Sequence, residues 1–426
     1  MIRIMKMGEV APAEIFARAV PETDVSAVVR DIIADVRANG DEALLRYTEK
    51  FDRAKLNTLT VQPEEIREAL DAADPEFLRV LNRAAENITL FHQAQKRESF
   101  ILTPKPGVTM GQRVIPVDRA GLYVPGGTAV YPSTVLMDVI PARIAGVPEV
   151  VMTTPPNREG KINPAILCAA HVAGISRIFK VGGAQAIAAL AYGTQSVPRV
   201  DTIVGPGNVF VAEAKRQVYG QVSIDMIAGS SEILVVADAA SDPRHVAADL
   251  LSQAEHDRLA SAVLVTDSVV LAEAVRDEIE RQLPLLERED IARVSIDRNG
   301  KIIVTDDLKK AIEVANEIAP EHLELCVEQP FDWLNEVRHA GSVFMGRSCP
   351  EALGDYLAGP NHTLPTSGTA RFASPLSVDD FVKKMQFTCF TRDALADVAE
   401  DVALFAQAEG LTAHARSATI RMGEGL

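Results

Sequence analysis

Hydrophobic positions near the start of the chain recur at helical spacing. After Asp24, the residues Val25, Val28, Val29, Ile32, Ile33 and Val36 fall on one 3.6-residue stripe, and Asn39-Gly40 ends it. Comparable patterning continues to about Arg97, so the first hundred residues are predicted mainly helical, with 1–24 as a small N-terminal arm of weak pattern. Near Val108 the texture changes. Short apolar runs at 149–153, 177–181, 200–204, 233–237, 261–265, 301–304 and 342–345 predict strands. Between them, amphipathic stretches predict helices at 164–173, 185–192, 209–218, 245–254, 269–281 and 308–318. Strands alternating with helices in this way build βαβ units and a parallel sheet. The pattern fits two sheet-based lobes with a cleft between them, followed by some fifty residues that read as helical and separate.

Composition narrows the classes. The chain has 426 residues, enough for two or three domains around a large core, and 47% of them are hydrophobic. A net charge of −16 disfavours nucleic acid and anionic membrane surfaces as partners. The four cysteines, Cys168, Cys326, Cys349 and Cys389, form no CxxC pair, which argues against a zinc ribbon or a disulfide framework. Glu9 and Glu14 interrupt the N-terminal apolar residues, and no stretch of 18 uncharged apolar residues occurs, so a cytoplasmic location is expected.

Candidate chemistry lies in turns and helix ends. Glycine-rich turns at 121–127 (GLYVPGG), 182–185 (GGAQ) and 205–208 (GPGN) fall where a parallel sheet places its ligand loops, and glycine lets backbone amides approach a phosphate. Each alone is equally readable as a tight βα turn. No GxGxxG is present, so the standard dinucleotide fingerprint is missing. Gln253 and His256 are three apart at a helix end and share a face if the last turn persists, which would let an amide oxygen and an imidazole hold one metal; a plain polar helix end reads the same way. Glu321-His322 offers two acid/base groups of different pKa, or else a solvated helix–strand junction. The polar loop 354–379 contains Asp355 and His362 as ligands or bases, and the tail adds Glu409 and His414, on a segment able to reach another subunit's site. His92, His171, His245 and His339 read as structural or surface residues. The residues by themselves reach an α/β enzyme with a nucleotide-like cleft and candidate metal ligands, without a substrate.

The segments GLYVPGGTAVYPSTVLM, VGGAQAIAALAYGT, VDTIVGPGN, DLLSQAEHD, ANEIAPEHLEL and GDYLAGPNHTLPTSGTARFASPLSVDDF occur in one order. Together they resemble histidinol dehydrogenase, from about residue 20 to the end of the chain. The resemblance implies an α/β fold of two incomplete Rossmann-type lobes, aldehyde-dehydrogenase-like, with small terminal helical domains exchanged in a domain-swapped homodimer. It implies oxidation of L-histidinol through bound L-histidinal to L-histidine, with NAD and one zinc per subunit. On this chain the zinc ligands would be Gln253, His256, Asp355 and, from the partner subunit, His414. Ser231, Gln253, His256, His322, Asp355, His362, Glu409 and His414 would touch substrate. Tyr123, Gln185 and Asn208 would touch NAD, while His322 acts as general base and Glu321 activates water. The implied domains are 1–24 as an arm, 25–122 with 233–375 as the zinc-bearing lobe, 123–232 as the NAD lobe, and 376–426 as the swapped helical domain. One departure is AGSSE where the family usually has AGPSE: Ser230 gives up a fixed φ just before Ser231.

Three rival readings remain. A zinc- and NAD-dependent paralogue oxidising another polar alcohol, such as a sulfonated diol, would alter the substrate-facing tail, yet Glu409 and His414 are present. A zinc hydrolase would not need the three glycine-rich turns, and no HExxH motif occurs. A binding protein on this fold would not need both Glu321 and His322.

Overall fold

The computed structural model describes residues 1–18, 24–126 and 130–423, which leaves Gly127 of the first glycine-rich turn and 19–23 of the arm outside the described residues. Two compact units emerge, Met1–Gln95 with Val117–Phe381, and Lys96–Pro116 with Val382–Leu426.

The larger unit contains two parallel sheets. The six-stranded sheet runs in the order Arg3–Lys6, Lys301–Val304, Ser261–Thr266, Glu232–Ala237, His322–Cys326, Ser342–Met345. The five-stranded sheet runs Ile178–Lys180, Glu149–Thr154, Arg119–Tyr123, Thr202–Val204, Ser223–Ile224. The central strands are continuously apolar because helices cover both faces. Ile233 and Val235 point to one side, against Leu250 and Val275. Leu234 and Val236 point to the other, against Ile312 and Ala315.

Several helices match the expected spans, including Pro164–Ala173 and Leu308–Ile318. In the first stripe Val29, Ile32, Ile33 and Val36 are buried as expected, but Val28 is 52% exposed. The lobe boundaries also differ from those implied. The helix Ser26–Asn39 packs Val29, Ile32 and Val36 with Phe179, Ile187 and Leu190, and Pro75–Gln93 packs Leu81, Ala84 and Ile88 with Leu122 and Val135. Residues 25–95 therefore cover the five-stranded sheet rather than the lobe formed by 233–375. The strand Arg119–Tyr123 pairs in that same sheet, with Glu149–Thr154 and Thr202–Val204. A helical stripe says which face is buried and is silent about which sheet buries it.

The smaller unit is not purely helical. Val382–Phe390 is a nine-residue strand, antiparallel to Val108–Pro116, which pairs in turn with Phe100–Lys105. Its two longer helices, Ala399–Ala408 and Thr412–Thr419, meet through Ala403, Ala406 and Ala415. Among the described residues no helix is long and apolar enough to cross a membrane.

Candidate active site

In the six-stranded sheet the chemistry gathers where strands begin. A crossover helix runs back against the strands it connects, so its C-terminal end lies beside the start of the next strand. Pro243–Ala254 brings Gln253 and His256 to that edge, and Leu308–Ile318 delivers Glu321 and His322. Ser231 directly precedes the strand Glu232–Ala237.

Glu321 and His322 are 7% and 4% exposed. Ala319 takes a left-handed φ of 50°, which breaks the helix so that Pro320 and Glu321 form a turn before the strand begins. Both side chains can then address one place, as a fully extended pair could not. Glu232 holds them both with its backbone: its N–H donates to Glu321 Oε2 at 2.9 Å, and its carbonyl lies 3.0 Å from His322 Nδ1. A carbonyl only accepts, so Nδ1 carries the proton and Nε2 keeps its lone pair. That Nε2 is buried without a hydrogen-bond partner, 3.7 Å from Glu351 Oε1. Burial pushes the His322 imidazole down to about 4, against the opposing pull of Asp355. Burial pushes the Glu321 carboxyl well above the usual carboxylate range.

Gln253 Oε1 is also buried without a partner, on a residue 1% exposed. A buried amide oxygen left unpaired costs about 1–3 kcal/mol, so its orientation points to something it awaits. The helix relaxes after Ala254, yet His256 N–H still reaches the Gln253 carbonyl at 3.2 Å, so the turn persists. Tyr131 stacks on His256, with ring centroids 6.5 Å apart. Asp355 lies on the helix Glu351–Tyr356, and the ligand atoms of His322, Glu351 and Asp355 all fall within 4.8 Å of one another. The imidazole and two carboxylates gathered there are donors of the kind zinc takes.

Glu351 is a site residue that the motif reading missed. It is 2% exposed, its N–H donates to Glu324 Oε1 at 2.7 Å, and Ser252 Oγ lies 3.4 Å from its Oε2. Burial, then the nearby Asp355, pushes its carboxyl up to about 9. Its signal was present: it stands four residues before Asp355, on the same helix face.

The loop after Asp355 is tied down at several points. His362 Nε2 is 3.1 Å from Ser133 Oγ, and burial pushes its imidazole down. Asn361 Nδ2 donates to the Met137 carbonyl at 2.7 Å. That carbonyl is available because its usual helical donor would be residue 141, and Pro141 has no N–H. Buried His92 joins the same structural cluster, 3.3 Å from Asn361. Gly229 N–H donates to Thr366 Oγ1 at 2.6 Å, which joins the loop to the Ser230-Ser231 turn.

In the five-stranded sheet, Arg119–Tyr123, Ile178–Lys180 and Thr202–Val204 run parallel and lead at their C-terminal ends into the three glycine-rich turns. Gly121 is already within its strand. Tyr123 is buried, and its Oη accepts the Gly183 N–H at 3.2 Å. Gln185 is buried on the helix Gly183–Tyr192. Asn208 is exposed and caps Val209–Val218, accepting from Phe210 and Val211 N–H. An edge of side-by-side strand ends, glycine turns and helix N-termini fits a dinucleotide. Glu409 and His414 are both exposed in the smaller unit, Glu409 just after Ala399–Ala408 and His414 on Thr412–Thr419.

The model of the histidinol dehydrogenase family matches residues 17–422. The chain belongs to the histidinol dehydrogenase family. Histidinol dehydrogenases of Syntrophotalea carbinolica and Bacillus anthracis are each 55% identical to it, over 404 and 403 residues; the matches cover 94% and 95% of this chain and 94% of each relative. The crystal structure of histidinol dehydrogenase from Elizabethkingia anophelis superposes with a TM-score of 0.94 at 38% identity, covering 99% of this chain and 98% of that one. The histidinol dehydrogenase family thus accounts for nearly the whole α/β architecture, with its two parallel sheets.

Proposed function

We propose that this member of the histidinol dehydrogenase family oxidises L-histidinol through L-histidinal to L-histidine, reducing two NAD and consuming one water, and that Glu321 and His322 move the protons. The observation that carries this reading is the buried pair held by one backbone unit: Glu232 pins His322 in the tautomer whose Nε2 is free to accept, and seats Glu321 beside it. Gln253, His256 and Asp355, with His414 of the partner subunit, would hold zinc. Zinc bound there supplies a Lewis acid that fixes and polarises the substrate's polar groups. NAD at the glycine-rich turns, near Tyr123, Gln185 and Asn208, supplies the hydride acceptor.

His322 accepts the alcohol proton at Nε2 as the carbon gives up its hydride, leaving the aldehyde. Its neutral imidazole is ready for this at neutral pH. Glu321 accepts a proton from water as the water oxygen bonds to the aldehyde carbon, giving a gem-diol. After releasing its first proton to solvent, His322 takes a gem-diol proton as the second hydride leaves to the second NAD, and the acid is formed. Ser231, His362 and Glu409 of the partner subunit orient the substrate. A second copy would also cover the exposed Phe100, Ile101, Leu102, Met385 and Phe390 of the smaller unit.

The test is NADH formation from limiting L-histidinol, with chelator and with zinc restored. Two NADH per histidinol, lost on chelation and regained with zinc, is the expected result. No NADH from a zinc-loaded dimer would overturn the reading and turn attention to other polar alcohols, sulfonated diols among them.

A further inference from the structure

The mechanism makes no use of a buried carboxyl that touches both halves of the larger unit. Asp138, on the helix Pro132–Ala145, is fully buried. Its Oδ1 accepts the Thr363 hydroxyl at 3.2 Å, next to His362. Its Oδ2 has no hydrogen-bond partner and faces Gly205: a Cβ built there would lie 3.0 Å from this oxygen and 2.1 Å from the Tyr123 carbonyl oxygen. With φ at +110° and no room for a Cβ, position 205 needs glycine. The same glycine is gripped from below. Its N–H donates to Asp225 Oδ2 at 2.8 Å, its carbonyl accepts from Lys215 Nζ at 2.9 Å, and Lys215 forms a buried ion pair with Asp225. Lys215 thus pairs with Asp225, and its charge also acts on the nearby Asp138. Burial, then the nearby Asp225, pushes the Asp138 carboxyl well above the usual carboxylate range.

We propose that Asp138 is a positioning residue that couples the glycine turn at Gly205 to the loop carrying His362, and so holds the cofactor side and the substrate side of the site in one register. The role rests on the proposed NAD-dependent oxidation. It needs a side chain of this size with one acceptor toward Thr363, and it needs no negative charge. Asparagine supplies both features, whereas leucine supplies only bulk. Thr363 touches the loop side alone, so its hydroxyl is the place to pull on one end and read the other.

Hydrogen exchange by mass spectrometry on the zinc-loaded protein, alongside NAD and L-histidinol kinetics, tests this in Asp138→Asn, Asp138→Leu and Thr363→Val. The mild Thr363→Val change keeps the test independent of any folding failure in Asp138→Leu. Thr363→Val should speed exchange at 205–208 as well as at 361–366, and should raise KM for NAD and for L-histidinol by roughly fivefold each, with kcat changed by less than about threefold. Asp138→Leu should do the same more strongly, and Asp138→Asn should stay within about threefold of wild type. Faster exchange confined to 361–366 in Thr363→Val, with KM for NAD unchanged, would overturn the coupling. So would Asp138→Asn behaving like Asp138→Leu. Exchange needs no substrate: loosening of both segments in a protein that makes no NADH from L-histidinol would keep the coupling and reject the proposed activity.

Discussion

Among the described residues, buried atoms at this site without a hydrogen-bond partner include Gln253 Oε1, His322 Nε2 and Glu351 Oε1. An unpaired buried polar atom costs stability, and that cost is what a site built to meet a ligand looks like. Gln253→Leu should therefore stabilise the metal-free protein by about 1–2 kcal/mol while abolishing zinc retention. Calorimetric Tm with and without chelator, beside metal analysis, checks both halves; full zinc content in the variant would remove Gln253 from the ligand set. Glu321→Gln keeps the shape and the hydrogen bond from Glu232 N–H but loses the base. It should still make one NADH per histidinol and stall before the second, which a single-turnover absorbance trace resolves. Asp52 shows the same accounting away from the site. Its Oδ2 is buried without a partner, and burial pushes its carboxyl up to about 6 from 3.8. The folded chain then holds this proton more tightly than the unfolded one, so stability is highest below the unfolded value and is lost as pH rises toward the folded one. Asp52→Asn should raise Tm at pH values above the folded pKa, with the gain vanishing below the unfolded one. An equal gain at all pH values would mean that charge is not the cause.

At the level of elements, a helix can be spoiled to serve a loop. Pro141 interrupts the ladder of Pro132–Ala145 and frees the Met137 carbonyl, which Asn361 then takes. A proline inside a helix costs ~3 kcal/mol, so Pro141→Ala should raise Tm. It should also let residue 141 compete for that carbonyl and raise KM for L-histidinol several-fold, which steady-state kinetics would show. An unchanged KM would mean that the loop is held without Asn361. This arrangement was not legible in the sequence, because a proline in an apolar stretch announces a kink and leaves its beneficiary unnamed. The strongly periodic elements were legible: Lys301–Val304, Ser342–Met345 and Leu308–Ile318 stand where the pattern put them. Arg3–Lys6 has four residues and one buried side chain, too little for a pattern. Val382–Phe390 alternates at Met385, Phe387 and Cys389, yet it is mostly exposed, and its neighbouring helices dominate the composition. Of the site, the Glu321-His322 pair and the glycine-rich turns stood out by residue type. Glu232 did not, because it acts through its backbone, which any residue has.

For the whole molecule, the question is how the smaller unit contributes. Its apolar residues Phe100, Ile101, Leu102 and Phe405 are exposed, and Glu409 and His414 are exposed as well. Apolar surface left open on a single copy favours association, and in a two-fold dimer one contact is made twice. If each site takes His414 from the partner subunit, two different defects can cure one another. His256→Ala and His414→Ala should each be inactive alone. In a mixed dimer one site inherits both defects and the other inherits neither. Random reassortment makes half the population mixed, so an equal mixture refolded or coexpressed together should recover about a quarter of wild-type activity. Tagging the two variants differently and purifying the mixed species should raise this to about half. If His414 instead served its own subunit, every site in the mixed dimer would carry one defect, and the purified mixed species would stay inactive.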